Sequence, residues 1–183
     1  MGRTCAGGLQ GPRPAQAQVR GPTLHDPGSV MHSPVSVRPA READLPACAG
    51  IINDYIDTAD WLPRLKSRDE IAAVFAPDIL ALRTILVAEV AGQVAGYLSL
   101  GGGGHVAALY LAPEARRQGV GRALMAEAKA LNPGGLTLTV FEPNLGARAF
   151  YAREGFAEVP ERRDDSTEEG VPALWLRWPG VGE

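Results

Sequence analysis

One stretch limits what this chain can become more than any other: Leu109-Tyr-Leu-Ala-Pro-Glu-Ala-Arg-Arg-Gln-Gly-Val-Gly-Arg-Ala-Leu124. An apolar run ends at Pro113, a polar turn follows, and glycines open a helical pattern whose apolar stripe is Val120, Leu124, Ala128 and Leu131. Strand, turn and helix in immediate succession point to a sheet with helices packed on it. The glycines carry chemistry as well as shape. With no Cβ, Gly119 and Gly121 let a ligand come close to the main chain. The first amides of a helix have no intrahelical partner and sit at its positive dipole end. A pyrophosphate suits such a place, and Arg116, Arg117 and Arg122 add positive charge.

The flanking sequence extends the pattern. Val35–Pro39 alternates as a first strand, and Leu45, Ala49, Ile52 and Ile56 mark one face of a helix. Ser67 followed by Glu70 is a capping box that opens a second helix reaching Phe75. Ile85–Val90 and Val94–Leu100 read as a hairpin about Ala91-Gly92-Gln93, and His105–Leu111 as the next strand. Asn132-Pro133-Gly134 stops the glycine-led helix, and Leu136–Phe141 is a buried strand. Asn144 caps a helix that Gly155 terminates, and Phe156–Val159 and Ala173–Trp178 complete the strands. The expected order is β-α-α-β-β-β-α-β-α-β-β, a mixed sheet flanked by helices.

Residues 1–34 differ. Glycine and proline are dense there and large apolar residues few, so a flexible tail is expected, with translation starting at Met31. Arg3, Arg13, Arg20 and Asp26 are its charged residues, so the rest of the chain carries a net of −5 where the whole carries −3. That balance disfavours nucleic acid, and no apolar run is long enough for a membrane span. Cys5 and Cys48 build no disulfide framework, and no metal-ligand spacing occurs, so a reducing, cytoplasmic setting without a metal is expected. Cys48 has no neighbouring histidine to activate it as a nucleophile.

The glycine turn is neither a P-loop, since no Gly-Lys-Ser/Thr follows, nor a dinucleotide fingerprint, since Leu124 stands where a third glycine belongs. A second segment decides between readings. Asn144, Ala147, Phe150-Tyr151 and Gly155-Phe156, following Arg116-Arg-Gln-Gly119-Val-Gly121, resemble the GNAT superfamily of acyl-CoA-dependent N-acyltransferases, in motif order and over about Val35 to Trp178. The resemblance implies an α/β (α+β) GNAT fold over residues 35–179. Its central sheet is mixed and mostly antiparallel, with about seven strands, four flanking helices and a splay between the fourth and fifth strands.

It also implies roles. Leu109, Tyr110 and Leu111 should pair their main chain with the pantetheine arm of acetyl-CoA, a backbone N–H there polarising the thioester carbonyl. Arg116, Arg117, Gln118, Gly119, Val120, Gly121 and Arg122 should hold the pyrophosphate. Asn144 should contact the pantetheine, and Tyr151 should be the general acid that protonates the departing thiolate. If Phe150 packs into the core, its neighbour Tyr151 is free to face the cleft. A base is not specified: Glu89, Glu114 and Glu142 lie near strand ends, His105 starts a strand, and a water relay is the favoured route.

The acceptor is expected to be a primary amine on a small molecule or peptide. It would be drawn to an acidic mouth of Asp54, Asp57, Asp60 and the Asp164–Glu169 segment, with Trp61 as a wall and Glu89 nearby. The rival reading is a non-catalytic acyl-CoA-binding module of the same fold. The few lysines and the abundant Gly, Ala and Pro suggest a bacterial source, and a homodimer is left open.

Overall fold

The computed structural model describes residues 34–182. The expectations of a flexible tail and a start at Met31 fall on residues 1–33, outside those described. The strands are β1 (Ser36–Pro39), β2 (Thr84–Val90), β3 (Gln93–Gly101), β4 (His105–Leu111), β5 (Leu136–Phe141), β6 (Ala157–Glu158) and β7 (Ala173–Trp178). The helices are α1 (Leu45–Thr58), α2 (Arg68–Val74), α3 (Ile79–Leu82), α4 (Val120–Leu131) and α5 (Leu145–Arg153). Four helices are longer than one turn, and α3 adds a single turn between α2 and β2.

Local chemistry sets the boundaries. The Ser67 hydroxyl accepts from the Glu70 amide while the Glu70 carboxylate accepts from the Ser67 amide, so the capping box fixes the start of α2. Ala91 (φ 52°) and Gly92 (φ 76°) both take left-handed conformations, which match the twist of the β2–β3 hairpin they join. Asn144 caps α5 by accepting from the Ala147 amide at 3.1 Å.

All seven strands form one sheet in the order β1-β2-β3-β4-β5-β7-β6, antiparallel except at β4–β5. That parallel pair is short: only His105↔Thr137 and Val106↔Leu138 are in register. Beyond them β4 stays paired to β3 and β5 to β7, so the two strands diverge into the expected splay. A bulge leaves Ala107 without a partner on β3 just where the divergence begins.

Helices cover both faces. Leu111 lies beside Gly121 of α4, whereas the neighbouring Tyr110 stacks against Tyr55 of α1 at 5.1 Å, so α4 and α1 pack on opposite sides of β4. The core runs through the middle of the sheet, with Leu86, Val87, Leu98, Leu124, Met125 and Leu138 almost fully buried. The α1 stripe splits in two. Leu45, Cys48 and Ala49 are buried in the core, while Ile52 and Ile56 are half-buried and line a cavity beneath the helix.

Candidate active site

The open edge of β4 is the scaffold. Ala112 N–H donates to Ala95 C=O across β3 at 2.9 Å. Main-chain direction alternates along a strand, so the amides of Leu109 and Leu111 point away from β3 into the splay. No β5 residue pairs with them. An extended ligand with amides of its own could complete that edge as an added strand.

The strand leads into the glycine loop. Arg117 (φ 63°) and Gly119 (φ 82°) are left-handed, and Gly119 occupies the N-cap position of α4 with no side chain capping it. The first main-chain bond into the helix is Ala123 N–H to Gly119 C=O at 3.0 Å. Among the described residues, no main-chain nitrogen from Arg117 through Arg122 donates a hydrogen bond. Residues 116–119 are exposed, and a Cβ built on Gly119 would meet nothing within 4 Å. The cradle is therefore open and its donors are bare, as an anion site requires.

The two glycines differ. A Cβ on Gly121 would lie 3.4 Å from Leu111 Cδ1 and 3.4 Å from Phe150 Cε2, so its smallness serves close packing of α4 on β4 and α5. Gly119 borders open space, and the packing account of glycine applies only to Gly121.

At the splay three tyrosines from three elements converge. Tyr55 of α1 stacks on Tyr110 of β4, and both act electrostatically on Tyr151 of α5. Phe150 packs against Gly121, and the Tyr151 ring lies edge-on to the Phe150 ring with centroids 5.3 Å apart. Tyr151 lies deeper than a rim residue, 7% exposed, with Phe150 and Phe156 beside it. Burial pushes its hydroxyl well above the usual tyrosine range, reinforced by Tyr110 and Tyr55. Burial likewise raises Tyr110 to about 12, with Tyr55 and Glu169 adding to it. Both phenols are therefore protonated near neutral pH.

Asn144 spans the splay. Its Oδ1 caps α5, and its Nδ2 donates to the Tyr55 hydroxyl at 2.8 Å, tying α5 to α1.

The candidate bases separate. Glu89 is not brought to the splay. Arg38 holds it at 2.5 Å in a cluster with Asp44 on the β1–β2 edge, where Arg38 also grips Asp44 at 2.7 and 2.9 Å. Glu142 takes both arms of the Arg163 guanidinium, at 3.0 and 2.9 Å, which lowers its carboxyl and weakens it as a base. Glu114 is exposed on the loop after β4. His105 lies at the closed end of the splay, its Nδ1 3.1 Å from the Thr137 hydroxyl, and burial lowers its pKa.

The expected acidic mouth also divides. Arg64 donates to Asp57 at 2.5 and 2.9 Å, and Arg68 binds both Asp57 and Asp54, so these carboxylates staple α1 to α2. Trp61 stacks on Phe141 with centroids 5.7 Å apart and reaches the cavity only through that ring. Asp165 pairs with Arg163, and Asp164 accepts from Ser166 in a turn. Glu168 and Glu169 alone of the acidic segment line the cavity.

Sequence reasoning missed Tyr97 and Ser99 of β3, which lie in the cavity floor. Their signal was present: hydroxyls at alternate positions of an otherwise apolar strand share one face.

The comparisons with known proteins fit this geometry. A family model described as an acetyltransferase (GNAT) domain matches residues 69–175. Over 149 residues the chain is 33% identical to the peptidyl-lysine N-acetyltransferase YiaC of Escherichia coli (strain K12), covering 79% of this chain and 97% of that protein. The solution structure of apo YjaB from Escherichia coli matches with a TM-score of 0.64 at 28% identity, covering 80% of this chain and 99% of that one. The structure of yncA from Salmonella typhimurium with its cofactor acetyl-CoA matches with a TM-score of 0.63, covering 82% of this chain and 96% of that one. At 21% identity that last likeness is one of fold.

Proposed function

The chain belongs to the GNAT superfamily of acetyltransferases, and on that premise we propose that it moves an acetyl group from acetyl-CoA directly to a primary amine of a peptide or small molecule. One observation carries the cofactor assignment: a run of bare main-chain donors from Arg117 through Arg122, continuous with the open edge of β4. The loop amides take the pyrophosphate, and the amides of Leu109 and Leu111 take the pantetheine. The acetyl-CoA bound to yncA supports the same co-substrate here. Bound acetyl-CoA supplies an activated thioester.

The chain's residues then act on the transfer. A neutral amine nitrogen attacks the thioester carbon, the C–N bond forms as the C–S bond breaks, and the amine's surplus proton passes to water. Tyr151 donates its hydroxyl proton to the departing thiolate and recovers one from solvent. An N–H of Leu109 or Leu111 facing the splay stabilises the developing oxyanion. With Glu89 and Glu142 both held by arginines, a water relay takes the base role. Peptidyl-lysine, the acceptor named for YiaC and YjaB, is the first peptide acceptor to assay.

Thermal unfolding with and without acetyl-CoA tests the proposal. At a concentration of 100 times Kd, linkage predicts about 2.7 kcal/mol of added stability. An unchanged melting temperature at millimolar acetyl-CoA defeats the cofactor assignment.

A further inference from the structure

Beneath α1 and α2 lies a cavity of about 290 Å³ that reaches the open end of the splay, where Ala108 and Tyr110 of β4 and Phe141 of β5 line it. Small-molecule pockets span roughly 300–1,000 Å³, so this space suits a compact ligand. Its walls are mostly apolar, with Ile52 and Ile56 from α1 and Ile71 and Phe75 from the α2 region.

The charged residues of the lining are of both signs. Glu168 and Glu169, before β7, face the same space as Lys66, between α1 and α2, and Arg83, between α3 and β2. Lys66, Arg83 and Glu168 are exposed and Glu169 is half-buried, so solutes reach all four. Among the described residues none of these four side chains forms a hydrogen bond or an ion pair. Elsewhere the fold pairs its charges freely: Arg38, Arg64, Arg68, Arg148 and Arg163 each hold a carboxylate. Opposite charges that share a cavity without meeting are held apart, and β4 gives the scale. Glu169 acts electrostatically on Tyr110 at the open end of the splay, whereas Arg83 acts on His105 at its closed end. Those residues are five positions apart, roughly 15 Å of strand at 3.3 Å per residue. The cavity is therefore negative at the end next to the transfer and positive at the end marked by Arg83. Apolar walls of low dielectric focus such a field.

We propose that the acceptor is an ω-amino carboxylate, a small molecule whose primary amine lies by Glu168 and Glu169, whose apolar spacer lies along Ile52, Ile56 and Phe75, and whose carboxylate pairs with Arg83. The inference rests on the acetyl-transfer reading above and names the acceptor class for the same site. At neutral pH such a molecule carries a cation at one end and an anion at the other, the complement of the cavity. A guanidinium matches a carboxylate with two parallel hydrogen bonds. An α-amino acid has both charges beside one carbon and cannot meet both ends. A lysine within a peptide offers the amine and the stem, but a neutral peptide group stands where Arg83 takes an anion.

The test uses the full chain with acetyl-CoA and three probes: 6-aminohexanoate, its neutral analogue 6-aminohexanamide, and an N-terminally blocked, C-terminally amidated peptide with one lysine. Initial rates are read by thiol release. The expected kcat/KM for 6-aminohexanoate exceeds that for 6-aminohexanamide by about tenfold or more, with the lysine peptide below the carboxylate. Arg83→Gln should shrink the acid-to-amide ratio toward one, Arg83→Lys should keep part of it, and Arg83→Gln combined with Lys66→Gln should abolish it. That ratio does not depend on how much of a variant is folded. A ratio near one in the unaltered protein, a ratio that survives the double substitution, or the peptide as best substrate overturns the acceptor assignment. Failure of 6-aminohexanoate to release thiol does the same. Acetyl-CoA stabilisation distinguishes the two levels: where it persists, only the acceptor class falls, and where it is lost, the transfer reading falls with it.

Discussion

On one side of the β4–β5 splay, the recognition proposed here uses the main chain of a single loop, in which no described nitrogen from Arg117 through Arg122 donates a hydrogen bond. On the other, a cavity is walled by side chains from α1, α2, α3 and strands β2 to β5. The first side depends on conformation, because any residue able to follow the path supplies the same amides. The second depends on which atoms each side chain carries. One side can therefore stay fixed across many acceptors while the other sets the acceptor.

Several changes would break or sharpen that contrast. The largest effect is expected where the two sides meet. Tyr151→Phe should lower turnover by about 10²–10⁴-fold while leaving stabilisation by acetyl-CoA intact, and unaltered rates would remove Tyr151 from the mechanism. Next comes Gly119→Val. A β-branched residue at φ 82° is strained by about 1–2 kcal/mol, enough to move the loop and cut acetyl-CoA affinity roughly tenfold by calorimetry. Arg122→Ala, which changes only a side chain, should cost less. If it costs more than Gly119→Val, charge rather than main-chain shape dominates the loop.

Two positions on, Gly121→Val should act on stability instead. Its added atoms press on Leu111 and Phe150, costing about 1–3 kcal/mol in thermal or denaturant unfolding.

The tyrosines give a pH test with a definite sign. All four, Tyr55, Tyr97, Tyr110 and Tyr151, are raised by burial, so the folded state holds their protons more tightly than the unfolded state. Their contribution is complete below the unfolded value near pH 10 and is lost as pH rises through the folded values, which for Tyr110 is about 12. Ultraviolet titration should show phenolate forming late and together with unfolding. Independent titration of the folded protein near pH 10 would mean that the splay is wetter than its packing implies.

The smallest effect is expected at Glu89. Glu89→Gln should leave kcat unchanged and cost under about 1 kcal/mol, since Arg38 keeps Asp44 as a partner. A large fall in kcat would return Glu89 to the reaction.

The same contrast explains what the sequence reveals. His105–Leu111, Leu136–Phe141 and Ala173–Trp178 form strands over the very residues expected of them, and Ser67 and Glu70 form their capping box. These features depend on neighbours in the chain. So does the glycine loop, whose left-handed Gly119 and unpaired amides lie in one contiguous segment. The cavity is not local. Ile52 and Ile56 carry the same helical stripe as Leu45 and Ala49, and only the placement of α2 and α3 leaves them facing space rather than core. Asp54 and Asp57 read as a free acidic mouth until Arg64 and Arg68 arrive from the next segment to bind them. The strand Phe156–Val159 contracts to Ala157–Glu158 because it pairs only with β7 at the sheet's edge. The unpaired state of the buried Tyr97 and Ser99 hydroxyls is a property of surroundings that three helices and four strands make together.

The bond from Asn144 to the Tyr55 hydroxyl has a consequence for kinetics. In the proposed reading Asn144 borders the pantetheine, and Tyr55 stands one turn after Ile52 and next to Ile56 on the helix over the cavity. Loading either chamber works against the same amide–phenol latch. On that reading, occupancy of one should alter affinity for the other by an equal factor in each direction, so the two substrates should bind as a coupled pair rather than as independent guests.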